Sequence, residues 1–498
     1  MTHRAAGHPD PAAPLTQNPG PVPGFCSVGN RRFVLIAAIL ASALGFIDGT
    51  IIAIALPAMR DALGASLIEA QWINNGYLLP LSALILLGGA LGDRFGTARS
   101  FACGIAIFVA ASVLCALAPS AGWLIAGRVI KGIGAAIMIP GSLALISKAY
   151  PVAERGRAIG IWAAASALTT ALGPILGGLA LQFGGPEVWR WLFGINLPFG
   201  ALALWLVLTR VARDPAQTSH KIDIAGAALI TGALALIAWG LTGGAAWDRV
   251  GMGALLLLAF VAWESRASHP MVPLGLFRNR GFAAANIATA TLYFSLTTIL
   301  FFLPMTMIAG WGLPEVIATA AFAPLSIFIS TLSARAGTLA DRYGPGRMIG
   351  GGAALVSVAF ALLAMLAPFR DFWFAVLPGT TLMGLGMALV VSPLSTAIMG
   401  AVSEDRAGTA SGINNAVSRV AGLIAVAAMG SLAGAIYTSA GGGGSFGGFS
   451  DAPGHADAMT RAYVTLAWVT SGLSAISAAL AFALIPKPDQ SDERSAAR

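Results

Sequence analysis

Long apolar runs alternate with short polar stretches through almost the whole chain. They fall at residues 33–56, 71–91, 100–118, 123–148, 158–182, 191–209, 222–241, 249–264, 282–304, 314–334, 348–368, 373–399, 406–434 and 462–485. About 20 apolar residues in an α-helix cover a hydrocarbon core of roughly 30 Å. The pattern predicts an all-α polytopic membrane protein with about 14 transmembrane helices, the run at 249–264 being the weakest of the set. Residues 1–30, rich in Pro, Gly and Ala, read as a disordered cytoplasmic tail, and residues 487–498 as a second cytoplasmic tail. The first run is too long for a signal peptide and lacks a small-residue cleavage site, so it is expected to be retained.

Composition agrees with the pattern. Hydrophobic residues make up 57% and charged residues 10% of the 498, against about 25% charged in a soluble domain. The net charge of +8 is scattered through short loops rather than gathered on one face, which argues against nucleic acid. With the N-terminus inside, 21 Lys and Arg fall in cytoplasmic segments and five in outer ones, while Arg128, Lys131 and Arg419 stay within the runs. That positive-inside bias predicts that both termini are cytoplasmic. It also makes the Gly-rich stretch GGGGSFGGFS at 441–450 a flexible outer loop. Of the three cysteines, Cys103 and Cys115 are twelve residues apart on one predicted helix and Cys26 lies in the tail. A helix separates such a pair by about 18 Å, too far for a disulfide, and no metal-site spacing appears.

One motif occurs twice: GALGDRFGTAR at 89–99 follows the second run and GTLADRYGPGR at 337–347 follows the tenth. Eight runs separate equivalent points, so both copies face the same side, as two parallel halves require. The predicted organisation is a six-helix half at 31–210, two inserted linker helices with cytoplasmic loops at 211–280, and a second six-helix half at 281–486. Asp48, in FIDGTIIAIALP at 46–57, is the one acid well inside a run. A charge at the centre of a membrane helix costs about 2.5–3.5 kcal/mol on insertion scales, so its presence asks for a function.

These features together resemble the major facilitator superfamily, and within it the 14-helix drug:proton antiporter family of multidrug exporters. The resemblance runs from Arg31 to Pro486. IDGTIIAIALP is similar to the family's first-helix pattern, which implies that Asp48 is a proton-coupling carboxylate. LIAGRVIKGIGAA at 124–136 is similar to its fourth-helix motif, which implies that Arg128 is the buried cation facing that acid. Lys131 stands where the family usually has Gln, one helical turn from Arg128 and on the same side. ALGPILGG at 171–178 resembles the antiporter motif, with Gly173 and Gly177 on one helix face, Pro174 bending the chain, and Gly178 beside them. The first copy of the repeat, with Gly89, Asp93, Arg94 and Gly96, resembles the superfamily's gating motif, and Asp341 and Arg342 are its symmetry partners. Thr97 and Ala98 occupy places where basic residues are common. QWINNGYLL at 71–79, WRWLFGINLPFG at 189–200 and SGINNAVSR at 411–419 are also similar to family blocks. Polar groups in a bundle tend to face its interior, so Tyr77, Asn414 and Asn415 line a substrate cavity or bond helix to helix.

The resemblance implies proton-coupled export of hydrophobic or cationic small molecules by alternating access in the inner or plasma membrane. Protons and the lipid bilayer are then the partners, with no cofactor and no metal. Export of one dedicated compound and metabolite uptake are the nearer alternatives. An embedded enzyme is disfavoured because His3, His8, His220, His269 and His455 all fall in tails or loops. An ATP-driven pump is disfavoured because none of the four lysines follows a glycine, as a phosphate loop requires.

Overall fold

The structure is a computed structural model that describes residues 28–212, 222–244, 246–403 and 406–485. The expected tails up to residue 27 and beyond 485, with Cys26, His3, His8 and His220, lie outside the described residues. Residues 28–30 are helical and open the first helix.

Fourteen helices of 18 or more residues form the described chain: α1 (Val28–Leu63), α2 (Leu67–Phe95), α3 (Thr97–Ala116), α4 (Ala121–Ala149), α5 (Val152–Gly184), α6 (Trp189–Arg210), α7 (Ile224–Leu241), α8 (Trp247–Glu264), α9 (Arg280–Gly310), α10 (Glu315–Tyr343), α11 (Pro345–Phe369), α12 (Phe372–Gly400), α13 (Ala407–Ser439) and α14 (His455–Leu484). Thirteen are long and apolar enough to cross a membrane. The exception, α8, is 18 residues long and carries Asp248, Arg249 and Glu264 at its two ends. That explains why its run reads weakly.

Polar residues at the helix starts satisfy the backbone donors that have no partner within the helix. Ser66 and Glu69 form a reciprocal capping box on α2, while Asp223 caps α7 and Asn279 caps α9. The duplicated motifs, which follow apolar runs and so read as connecting loops, are largely helical. Residues 89–95 form the last turns of α2, and residues 337–343 those of α10. Nothing in Asp-Arg-Phe or Asp-Arg-Tyr opposes a helix, so each helix runs on until a glycine stops it. Gly96 (φ 97°) and Gly344 (φ 90°) are single-residue corners in a region that other L-residues rarely adopt.

The two halves pack alike. In the first, α2 and α3 pack on α4, α1 packs on α5 and α6, and α3 packs on α6; in the second, α10 and α11 pack on α12, α9 packs on α13 and α14, and α11 packs on α14. The two seams between the halves also correspond, α2 with α13 and α5 with α10. The inserted hairpin α7–α8 breaks this symmetry, because α7 lies over the α2–α13 seam only. Beside it, residues of α2, α7, α8, α9 and α13 with Met271, Val272 and Phe277 line an open apolar cavity of about 520 Å³.

One face of the bundle carries the described chain ends. There Arg31 pairs with Glu154, Tyr150 donates to the Arg31 carbonyl and Lys148 donates to Thr97. We refer to it as the terminal face. At the opposite face the halves are tied together. Gln71 donates to the carbonyls of Val426 (2.7 Å) and Ala427 (3.2 Å), and Thr319 donates to the Pro174 carbonyl (3.2 Å). Arg60 donates to the Phe446 carbonyl and the Ser445 hydroxyl. Toward the terminal face α5 and α10 become exposed, at Arg157, Gly160 and Ile161 on one and Ser330, Ala334 and Leu339 on the other. The α2–α13 seam keeps contact as far as Leu86 and Gly412. The bundle is thus tied together at the opposite face, and along the seam that α7 does not cover exposure rises toward the terminal face.

The stretch at 441–450 is an irregular loop, as its glycines suggested, and it is anchored at one point. Phe446 is fully buried, edge-on to Phe302 and Tyr437, and Arg60 holds the backbone beside it. His455, expected in a loop, is the first residue of α14 and is buried between the Tyr437 hydroxyl (2.6 Å) and the Ala309 carbonyl (3.1 Å).

Candidate functional site

The centre of the first half holds three charges. α4 reaches it because small residues let the helices touch. A side chain at Gly132 would strike the Tyr77 carbonyl of α2, and one at Gly134 would strike the α3 backbone at Gly104 and Phe108. Packed this closely, α4 has no route to water for Arg128 or Lys131, and both are 0% exposed. Asp48, 1% exposed, meets them from α1. One carboxylate oxygen accepts from Arg128 and the other from Lys131. Arg128 also donates through Nε to the Ile73 carbonyl (2.9 Å) and stacks on the Tyr77 ring at 4.4 Å. Lys131 lies 4.6 Å from the Phe108 ring centre and 4.8 Å from that of Phe193. Electron-rich ring faces favour a desolvated cation, which suits this otherwise apolar surround. Two cations face one carboxylate, and the second terminal nitrogen of Arg128 has no hydrogen-bond partner. The cluster is sealed, fully clasped and one positive charge in excess.

Between the halves lies a cavity of about 430 Å³. Gly45, Gly49 and Thr50 of α1 line it, as do Asn74 and Tyr77 of α2, Pro174 of α5, Tyr293 and Phe301 of α9, Phe322 and Ser326 of α10, and Asn415, Ser418 and Arg419 of α13. Asp48 is not on this wall. It points from the same turn of α1 into the first half, while Gly45 and Gly49 expose the α1 backbone to the cavity. Tyr77 belongs to both places: its ring covers Arg128, and its hydroxyl, directed at the Gly45 carbonyl (3.4 Å), lies on the cavity side.

The residues singled out from the sequence divide as follows. Asp48, Arg128 and Lys131 come together. Gly173 abuts Thr50 and Ile47, Gly177 abuts Ile51, and Gly178 abuts Thr319 and the Glu315 carbonyl, so the α5 motif touches α1 with one side and α10 with the other. Asp93 and Asp341 are exposed and make no ion pair among the described residues. Arg94 and Arg342 each lie over the aromatic ring that follows them, Phe95 and Tyr343. Gly89 lies with Asp93 along a shallow hollow between α2 and α4. Of the paired asparagines, Asn415 lines the cavity. Asn414 instead turns away and donates to Asn286 (3.3 Å) and Thr289 (2.7 Å) of α9, so it is a helix-to-helix contact. In the sequence Arg419 is marked only as a charge within a run. On the structure it is a cavity residue, its Nε donating to the Asn415 side-chain oxygen (3.0 Å).

Residues 38–426 match the family model of the Major Facilitator Superfamily. The methylenomycin A resistance protein of Bacillus subtilis is 34% identical over 414 residues, which cover 79% of this chain and 87% of that protein. The tetracenomycin C resistance and export protein of Streptomyces glaucescens is 32% identical, with 80% and 75% covered. A probable actinorhodin transporter of Streptomyces coelicolor is 33% identical, with 87% and 79% covered. Among solved structures, a bacterial homolog of the human lysosomal transporter Spinster superposes with a TM-score of 0.68 at 18% identity, covering 92% of this chain and 97% of that one. A D-xylose–proton symporter gives a TM-score of 0.65 at 14% identity, with 92% and 98% covered.

Proposed function

This chain belongs to the Major Facilitator Superfamily, and on that premise we propose that it exports hydrophobic small molecules in exchange for protons, with Asp48 as the coupling acid. The observation that carries the reading is a separation: Asp48 is sealed from the central cavity, yet it stands on the same helical turn as Gly45 and Gly49, which form the cavity wall. A proton on Asp48 removes the charge that both Arg128 and Lys131 clasp. α1 is then free to shift against α4, and its backbone carries that shift to whatever occupies the cavity. The terminal face is the cytoplasmic one by the bias of Lys and Arg, with both described chain ends on it and the protein in the cell membrane.

In the proposed cycle, Asp48 takes a proton from outside while the cavity faces out. The neutral acid lets the halves rock, and the proton leaves on the inside as the clasp re-forms. The clasped, inward-open arrangement is the state ready to load substrate. Asp93 and Asp341, which make no ion pair among the described residues, suit this state, since contacts from such acids at the terminal face would belong to the closed gate. The glycines of α5 supply the surface on which α1 and α10 slide. Relatives named for antibiotic resistance and export support outward transport.

The test uses inside-out vesicles carrying a preset pH gradient, challenged with a panel of lipophilic compounds. Substrate addition is expected to dissipate the gradient with the wild type. Asp48→Asn is expected to bind the same compounds without moving protons. Uphill transport by the Asn variant at the wild-type rate would remove Asp48 from the mechanism.

A further inference from the structure

The charge on the cavity wall carries information about the ligand. Arg419 is the one full charge among the described residues that line the central cavity, and no Asp or Glu lines it. Its Nε is engaged by Asn415, which fixes the plane of the guanidinium, and it makes no ion pair among the described residues. Asp48, which lies behind the wall, is spent on two cations of its own and leaves that cluster positive. Arginine keeps its charge throughout the physiological range and offers a planar fork of donors matched to a carboxylate or similar oxyanion. The rest of the wall mixes neutral polar groups, among them Thr50, Asn74, Ser326 and Ser418, with the aromatic side chains Tyr293, Phe301 and Phe322, which suit a flat hydrophobic body.

We propose that the cavity takes hydrophobic, aromatic ligands bearing an acidic group, and that this group docks as an anion on Arg419. The inference rests on the reading of the cavity as the transport site and names its substrate class. Of the hydrophobic and cationic compounds expected from the sequence, the wall suits the hydrophobic ones and adds an anion. A lipophilic cation would enter a site with unopposed positive charge, and a ligand without charge would leave the Arg419 fork without its partner.

Three fluorescent probes of one shape test this: pyrenebutyrate, its methyl ester, and a pyrene-bearing quaternary ammonium. Equilibrium binding is measured on the purified full chain, without a gradient. Wild type is expected to prefer the acid over the ester by about tenfold or more, the effect of one charge-assisted contact. Arg419→Gln is expected to abolish that preference while still binding the ester, which shows that the variant folds and keeps its cavity. Arg419→Lys is expected to retain part of it. Tighter binding of the ammonium than of the acid, equal loss of all three probes in Arg419→Gln, or no binding of the acid by the wild type would each overturn the proposal. Arg419-dependent acid binding without proton movement in vesicles would leave this inference standing and overturn the export reading alone.

Discussion

Charge balance decides what each residue of the buried cluster is worth. Asp48→Ala leaves Arg128 and Lys131 facing each other without an anion, and removing one partner of a buried pair costs about 3–5 kcal/mol. Lys131→Gln has the opposite effect on the balance, leaving Asp48 and Arg128 one to one; it gives up the Lys131 ion pair, in whose place a Gln amide can still donate, and ring contacts worth about 0.5–2 kcal/mol. In detergent, Asp48→Ala is therefore expected to lower the melting temperature far more than Lys131→Gln does. Equal losses would mean that the clasp contributes little. Asn at position 48 keeps the size and an acceptor oxygen, and the proposed cycle itself passes through a neutral side chain there, so Asp48→Asn is expected to fold. These three positions were legible in the sequence because each is a charge in an apolar run, and the spacing of Arg128 and Lys131 puts both on one helix face. Arg419 met the first condition only. α13 packs on α2, α7, α9 and α14, so no single side of it is marked by its sequence as the one facing the cavity.

At the scale of elements, composition was a good guide to where helices lie and a poor one to where they end and what loops do. Apolar runs mark the part of each helix in the bilayer, but α2 and α10 continue past it, because Asp, Arg and Phe or Tyr are compatible with helix and only Gly96 and Gly344 impose a corner. The stretch at 441–450 has four glycines before Ser445–Phe446 and two directly after, and its composition reads as flexible. One aromatic side chain in a pocket and one arginine from the other half override that composition. Arg60→Gln is expected to raise amide exchange at 441–450 while leaving exchange in α3 and α4 unchanged. Fast exchange of that stretch already in the wild type would contradict the latch. The α5 motif gives a second test. A side chain at Gly178 strikes Thr319 and the Glu315 carbonyl, so Gly178→Val is expected to push α5 from α10 at the opposite face. A cysteine introduced at that junction should then react faster with a membrane-impermeant maleimide, and an unchanged rate would show that the close approach is not needed.

For the whole molecule, the duplicated motif and the count of runs foretold two matching halves with an inserted pair of helices. What they did not carry is the asymmetry. α7 covers one seam and leaves the α5–α10 seam to open, an outcome of packing between distant segments that no local pattern encodes. The central claim joins that movement to a single acid: the charge on Asp48 sets the balance between inward-open and outward-open arrangements. The most direct measurement places spin labels on a cysteine-free background, one pair at Ile161 and Leu339 across the open seam and another at Phe183 and Arg461 near the opposite face. Distance distributions are then followed from acid to alkaline pH. In the wild type the two pairs are expected to shift in opposite senses as pH changes, and Asp48→Asn is expected to hold the wild type's acid-pH distribution at every pH. A variant that follows pH as the wild type does would contradict the claim.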